Sequence, residues 1–246
     1  MGHVTTELTV LKRDIPVNRH DTIRMILEQS KRSGRAVPIR RAFVQDTKPG
    51  PRLVTQPGPM PKLLRSAERL ELFLLVHAVT TRANWGVTAR SETWGRATGI
   101  SFSTDGKASA AVSRHLDKLK LISTAPDGRM TRITKLLEDG SGNAYTAPLI
   151  NDEGPRKDVY FKVPFEYWEQ HHYEKLTMPA KAMLLIFMSQ RSRSIVLGQD
   201  QQLASWYGIS PSTVNRGITE LNVSSHSHGS RSTACWPESG SHLVTS

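Results

Sequence analysis

The chain of 246 residues carries 33 Lys and Arg against 22 Asp and Glu, giving a formal charge of +11 and a pI near 10.0. That balance favours polyanionic partners: nucleic acid, an anionic membrane or an acidic protein. The single cysteine, Cys235, excludes an intramolecular disulfide framework, and the longest apolar stretch, Leu70–Val79, is interrupted by Glu71 and His77 and too short to span a bilayer. With no signal peptide visible, the expectation is a soluble, cytoplasmic protein without a membrane partner.

In chain order, four segments separate on composition. Residues 1–61 hold an amphipathic stretch at Thr22–Gln29, a basic run (Lys31, Arg32, Arg35, Arg40, Arg41) and a linker with Pro49, Pro51, Pro57, Pro59 and Pro61. They are expected to form a basic, Pro-rich flexible arm, because such composition buries too little apolar surface to offset its ordering entropy. Residues 62–147 read as three helices and a hairpin. Leu63, Leu64, Ala67, Leu70, Phe73, Leu74 and Ala78 follow helical spacing, a second helix covers Glu92–Ala97, and a third runs from Lys107 to Lys118. Val112, Leu116 and Leu119 mark the expected buried stripe of the third helix. Leu121-Ile122, the turn Pro126-Asp127-Gly128 and Met130–Leu136 then predict a strand–turn–strand, with Arg129 and Arg132 near its tip.

Residues 148–221 repeat the helical part: a short helix at Phe165–Glu169, an apolar helix at Ala180–Gln190 capped by Thr177, then Gln201–Tyr207, Gly208-Ile209-Ser210 and Pro211–Leu221. Leu203 and Ala204 are expected to face inward, and Val214, Ile218 and Leu221 to bury the last helix. The eight serines of 222–246, without apolar alternation, predict a disordered tail. The abrupt change at Leu221, where a second hairpin would be expected, suggests a missing wing, by truncation or frameshift of the gene, or a natural flexible tail. Charge also partitions by segment: +6 in 1–61, +5 in 62–147 and none beyond.

Two blocks recur. Val112, Arg114 and Leu119 match Val214, Arg216 and Leu221 at an offset of 102, and Gly99-Ile100-Ser101 matches Gly208-Ile209-Ser210 at 109. The second block, Leu203-Ala204-Ser205-Trp206-Tyr207-Gly208-Ile209-Ser210-Pro211-Ser212-Thr213-Val214-Asn215-Arg216-Gly217-Ile218-Thr219-Glu220-Leu221, resembles the helix–turn–helix of bacterial winged-helix regulators. The first copy with its hairpin resembles a whole winged-helix domain. Two in tandem are similar in arrangement to iteron-binding plasmid replication initiators.

The expected fold is therefore mainly α with a small β-hairpin wing: tandem winged-helix units at 62–147 and 148–221, between an arm and a tail. The resemblance implies binding to double-stranded DNA, as a transcription regulator or a plasmid or phage replication initiator. The expected contacts are Lys107, Ser109, Ser113, Arg114 and Lys118 on the first recognition helix, and Arg129 and Arg132 on the hairpin. On the second helix they are Ser212, Thr213, Asn215 and Arg216. Arg and Asn suit bidentate base contacts, and hydroxyls suit phosphates. A homodimer, or a second unit that docks protein with DNA binding incidental, is the competing expectation.

No enzyme chemistry, cofactor or metal is expected. Gly99, Gly106, Lys107 and Ala108 miss both the spacing and the Ser/Thr of a phosphate-binding loop. His171-His172 and His226-Ser227-His228 lack metal-ligand spacing, and Cys235 has no partner thiolate for zinc. Trp94, Trp168 and Trp206 are expected in the core.

Overall fold

A computed structural model of the chain describes residues 9–10, 18–48, 54–81, 84–100, 107–148, 159–190 and 200–226. Its elements, in chain order, begin with β1 (Thr9–Val10), α1 (Arg19–Gln29), β2 (Ala36–Arg40), a short 3-10 helix (Arg41–Phe43), β3 (Gln45–Lys48), β4 (Val54–Pro57) and α2 (Met60–Leu63). There follow α3 (Ala67–Val79), β5 (Gly86–Ala89), α4 (Ser91–Thr98), α5 (Lys107–Lys118), β6 (Ile122–Asp127) and β7 (Met130–Lys135). The last are β8 (Tyr160–Pro164), α6 (Glu166–Glu169), α7 (His172–Lys175), α8 (Met178–Ser189), α9 (Asp200–Tyr207) and α10 (Pro211–His226). The architecture is mixed α and β, with helix predominating and small sheets.

The chain divides into two units, each assembled from two separate stretches. Unit one combines 1–37 with 66–147, and unit two combines 38–65 with 148–246. In unit one α3 is the central helix. Ser66 caps it by accepting from the Arg69 amide at 3.3 Å, and every residue from Leu70 to Val79 is buried. α1, α4 and α5 pack on α3, with Ile23, Met25, Ile26 and Leu27 supplying the buried side of α1. Arg19 fixes α1 to the end of α4 by donating to the carbonyls of Ala97 at 3.1 Å and Thr98 at 3.2 Å. Arg32 and Lys135 do the same for the end of α3. Arg32 donates to His77 and Ala78, and buried Lys135 donates to Thr80 at 3.0 Å beneath the Tyr145 ring. These cations satisfy carbonyls that a helix C-terminus leaves unbonded.

The sheet of unit one has the order β1-β5-β7-β6, with β1 parallel to β5 and the other pairs antiparallel. Val87 lies opposite Ile133, and both are buried against the helices. α4 and α5 end alike. Gly99, at φ 80°, and Lys120, at φ 57°, occupy the left-handed position. Ile100 then bonds back to Gly95, and Leu121 to Leu116. This is the Schellman closure, made once with glycine and once with a residue that pays for its Cβ.

Unit two is built around α8, whose Met183, Leu184, Leu185 and Ile186 are buried. β2 pairs with β8, and β3 pairs with β4 as a hairpin, Asp46 opposite Gln56. The amide of Gly58 donates to Val44, and a Cβ on Gly58 would meet the Ala42 carbonyl oxygen at 2.2 Å, so only glycine fits there. α10 crosses α8 closely at Gly217, where a Cβ would lie 2.4 Å from the Pro179 oxygen. Thr177, expected to cap α8 with its hydroxyl, makes no such bond. The Glu220 carboxylate caps α8 instead, accepting from the Thr177 amide at 2.9 Å and from its hydroxyl.

Several expectations change. Residues 18–48 and 54–61 are not an arm: α1 enters the core of unit one, while Ile39, Phe43, Val44 and Met60 enter that of unit two. α10 continues through the composition break at Leu221 to His226, and 227–246 lie outside the described residues. Unit two has no hairpin after its last helix among the described residues, but it contains the β3–β4 hairpin from far upstream. Trp94 and Trp168 are buried, whereas Trp206 is 39% exposed.

Candidate nucleic-acid interface

α5 packs on α3, α4 and β6, which leaves one side of it open. Its described residues sort cleanly: Leu116 and Ser113 are buried, Val112, His115 and Leu119 are half-buried, and Ala110, Ala111, Arg114, Asp117 and Lys118 are exposed. Arg114 and Lys118, four apart, share the open face. Ser113 faces the core and is removed from the expected contact set. Lys107 and Ser109 lie in the first turn of α5, but their side chains are outside those described.

The hairpin β6–β7 continues from α5. Its two-residue turn, Gly128-Arg129, has Gly128 at φ 58°, the first position of a type II′ turn, and leaves Arg129 exposed at the tip. Arg132 is not at the tip. It sits in mid-strand opposite Ala125 and Thr88, on the sheet face away from Ile133, and its guanidinium lies over Gly86. On that face the Thr88 hydroxyl donates to Asp127 at 3.0 Å, steadying the hairpin. Arg129, Arg114 and Lys118 are therefore the exposed cations among the expected contacts of this unit whose side chains are described.

In unit two, Gly208, at φ 63°, turns α9 into α10, with Ile209 buried beneath the corner. Ser210 begins α10 by accepting from the Thr213 amide at 3.2 Å, and its hydroxyl meets those of Ser212 and Thr213 at 2.9 and 2.8 Å. Ser212, Asn215, Arg216 and Thr219 are exposed, and Thr213 is half-buried. Arg216 Nε donates to the Ser212 carbonyl at 3.3 Å, which lays its guanidinium along the helix. Leu203 is buried as expected, and the side chain of Ala204 is outside those described.

Burial revises the repeat. Val214, Gly217 and Leu221 form the inward stripe of α10, whereas Ser113 and Leu116 are the buried residues of α5. Two of the stripe positions coincide at an offset of 101, Val214 with Ser113 and Gly217 with Leu116, whereas Leu221 falls opposite the exposed Lys120, where α5 has already ended. The Val and Arg identities at 102 are one residue out of phase with the packing, a rotation of about 100° on a helix. Arg114 then corresponds to Asn215, and Lys118 to Thr219.

The charge changes in the same way. Counted by unit, 18 basic and 12 acidic residues give unit one +6, and 15 basic and 10 acidic give unit two +5. The C-terminal stretch is neutral on its own. Unit two draws its charge from 38–65, which contributes the exposed Lys62 and Arg65 just after Pro61, whose ring lies against Gly208 at the turn into α10. Sequence segmentation missed Lys62 and Arg65 because they stand far from α10 along the chain.

Two titrating groups depart from their ordinary behaviour near these elements. The Ser66 hydroxyl, donating at 2.6 Å, holds the Glu68 carboxyl below its usual range, helped by Arg19 and Arg69. Burial pushes the Tyr207 phenol up, opposed by Arg41 and by the Gln190 amide donating at 2.8 Å. Among the described residues no group of three or more His, Cys, Asp or Glu converges on a point where a metal would sit. His171 lies 3.6 Å from Glu174, an ordinary contact within one turn. No helix among the described residues is long and apolar enough to cross a membrane.

Compared with models of known protein families, with curated proteins and with solved structures, the chain matches none.

Proposed function

We propose that the chain is a sequence-specific, double-stranded DNA-binding protein made of two winged-helix-type units, acting in transcription control or in plasmid or phage replication initiation. The observation that carries this reading is the pairing, in unit one, of an open helix face bearing Arg114 and Lys118 with a hairpin bearing Arg129 at its turn. A helix of this width fits the major groove, and a basic hairpin beside it reaches backbone or minor groove. The element order from α3 to β7 in unit one, helix, strand, two helices and a hairpin, with β5, β6 and β7 in one sheet, supports the same reading. So does the near-equal charge of the two units, which gives α10 an electrostatic setting its own segment lacks.

The test is binding of the full chain to labelled duplex DNA at several salt concentrations. If each unit grips about 4–5 phosphates, log K falls against log salt with a slope of about −7 to −9. Genomic duplexes bearing the target outcompete random duplex. A near-flat slope, or equal affinity for every sequence, overturns the proposal.

A second reading has its own observation. Trp206, 39% exposed on α9, and Val223, 65% exposed on α10, are large apolar side chains in solvent, and suit docking of protein by unit two. Under that reading, Trp206→Ala abolishes self-association or partner binding and leaves the salt slope unchanged.

A further inference from the structure

Beyond the cations expected from sequence, one more belongs to the open side of α5. Arg69 stands in the first turn of α3, and a shallow groove between α3 and α5 is lined by Arg69, Ala111, Arg114, His115 and Lys118. Three of the five are cationic and none is a carboxylate. Ala111 contributes only a methyl group, which leaves the groove open above it. Arg69 Nη1 lies 3.3 Å from His115 Nε2. A guanidinium can only donate, so Nε2 is the acceptor and His115 carries its proton on Nδ1. That bond ties the Arg69 guanidinium to α5, on the groove it shares with Arg114 and Lys118. Glu68, the neighbouring carboxylate, is engaged by the Ser66 hydroxyl and does not line the groove.

We infer that this groove seats a backbone phosphate of bound duplex DNA, with Arg69 supplying the contact from α3 and Arg114 and Lys118 the contacts from α5; the inference rests on the DNA-binding reading above. A phosphodiester presents two non-bridging oxygens and one negative charge, which match the planar fork of an arginine. Because the phosphate is the same at every step, the contact carries no sequence preference. It holds α5 at a fixed depth and register, and His115 is a positioning residue that keeps Arg69 in place.

The experiment titrates the full chain and two variants against labelled duplex of random sequence over a range of potassium chloride. Arg69→Gln keeps a donor for His115 Nε2 and removes the charge, and Arg69→Lys restores the charge. The expected result for Arg69→Gln is a slope of log K against log salt shallower by about 0.9, with a several-fold loss of affinity that is equal on all duplexes. Arg69→Lys recovers the slope. If Arg69→Gln binds with the parent slope, whether or not its melting temperature has fallen, the phosphate seat is wrong while DNA binding stands. If the parent chain binds no duplex, both fall together.

Discussion

The two units present corresponding helices with different chemistry. At matched depth α5 exposes Arg114 and Lys118 where α10 exposes Asn215 and Thr219, and the helix interior holds Leu116 in one and Gly217 in the other. Gly217 lets α10 approach α8 to backbone contact, whereas α5 buries the full side chain of Leu116 at that position. Unit one therefore carries two cations on its open helix, while unit two carries one, Arg216, beside amide and hydroxyl groups, and draws its whole net charge from 38–65. Depth of burial, rather than residue identity, decides which positions correspond.

Substitutions that disturb one unit alone break or sharpen this comparison. The largest effect is expected for Ile26→Ala, which empties a fully buried site in α1 and costs about 2–5 kcal/mol in chemical denaturation. Wild-type stability would restore the flexible-arm description of this stretch. Gly217→Ala comes next. Its Cβ meets the Pro179 backbone oxygen at 2.4 Å and Met183 Cγ at 2.6 Å, so a loss of about 1–3 kcal/mol is expected. A neutral result would mean that α8 and α10 are not so close.

Smaller effects test the local closures. Lys120→Gly relieves a left-handed residue at the end of α5 and is expected to raise stability by about 1 kcal/mol. Failure to stabilise would argue against the Schellman closure there. The smallest effect concerns Glu68, whose pKa is lowered in the folded state. Its contribution is complete above the ordinary carboxylate range and disappears as pH falls through the lowered value. The stability gap between the parent chain and Glu68→Gln is thus expected to be widest at neutral pH and to close in acid. A gap independent of pH would contradict the Ser66 bond.

Helices with apolar residues at helical spacing were legible in the sequence. α5 and α8 lie near their predicted bounds because burial of a face imposes the helical period, whereas the single stripe read from Leu63 to Ala78 is divided between α2 and α3, the latter capped by Ser66. The turn glycines Gly99 and Gly208 were legible through the left-handed backbone they adopt. α1 was half legible: Ile23, Met25, Ile26 and Leu27 form an apolar cluster, but flanking Lys, Arg and Pro lowered the average of the segment. β2, β3, β4 and β5 span only four or five residues each, too few for alternation to stand out, and β2 and β4 each include a proline. The assembly of each unit from two distant stretches leaves no local trace, and so Lys62 and Arg65 escaped the predicted site; Arg69 escaped it because the packing of α3 on α5, which sets it beside His115, is a tertiary contact. Ser113 was misjudged because Val112 carries the hydrophobicity while Ser113 occupies the inward position.

The central claim is that both units grip DNA electrostatically. The direct measurement compares the salt slope of duplex binding for two triple variants, Arg114→Gln/Lys118→Gln/Arg129→Gln in unit one and Lys62→Gln/Arg65→Gln/Arg216→Gln in unit two. Each triple is predicted to make the slope shallower by about 2–3. A unit-two triple that binds with the parent slope, beside a unit-one triple that loses it, would contradict the claim.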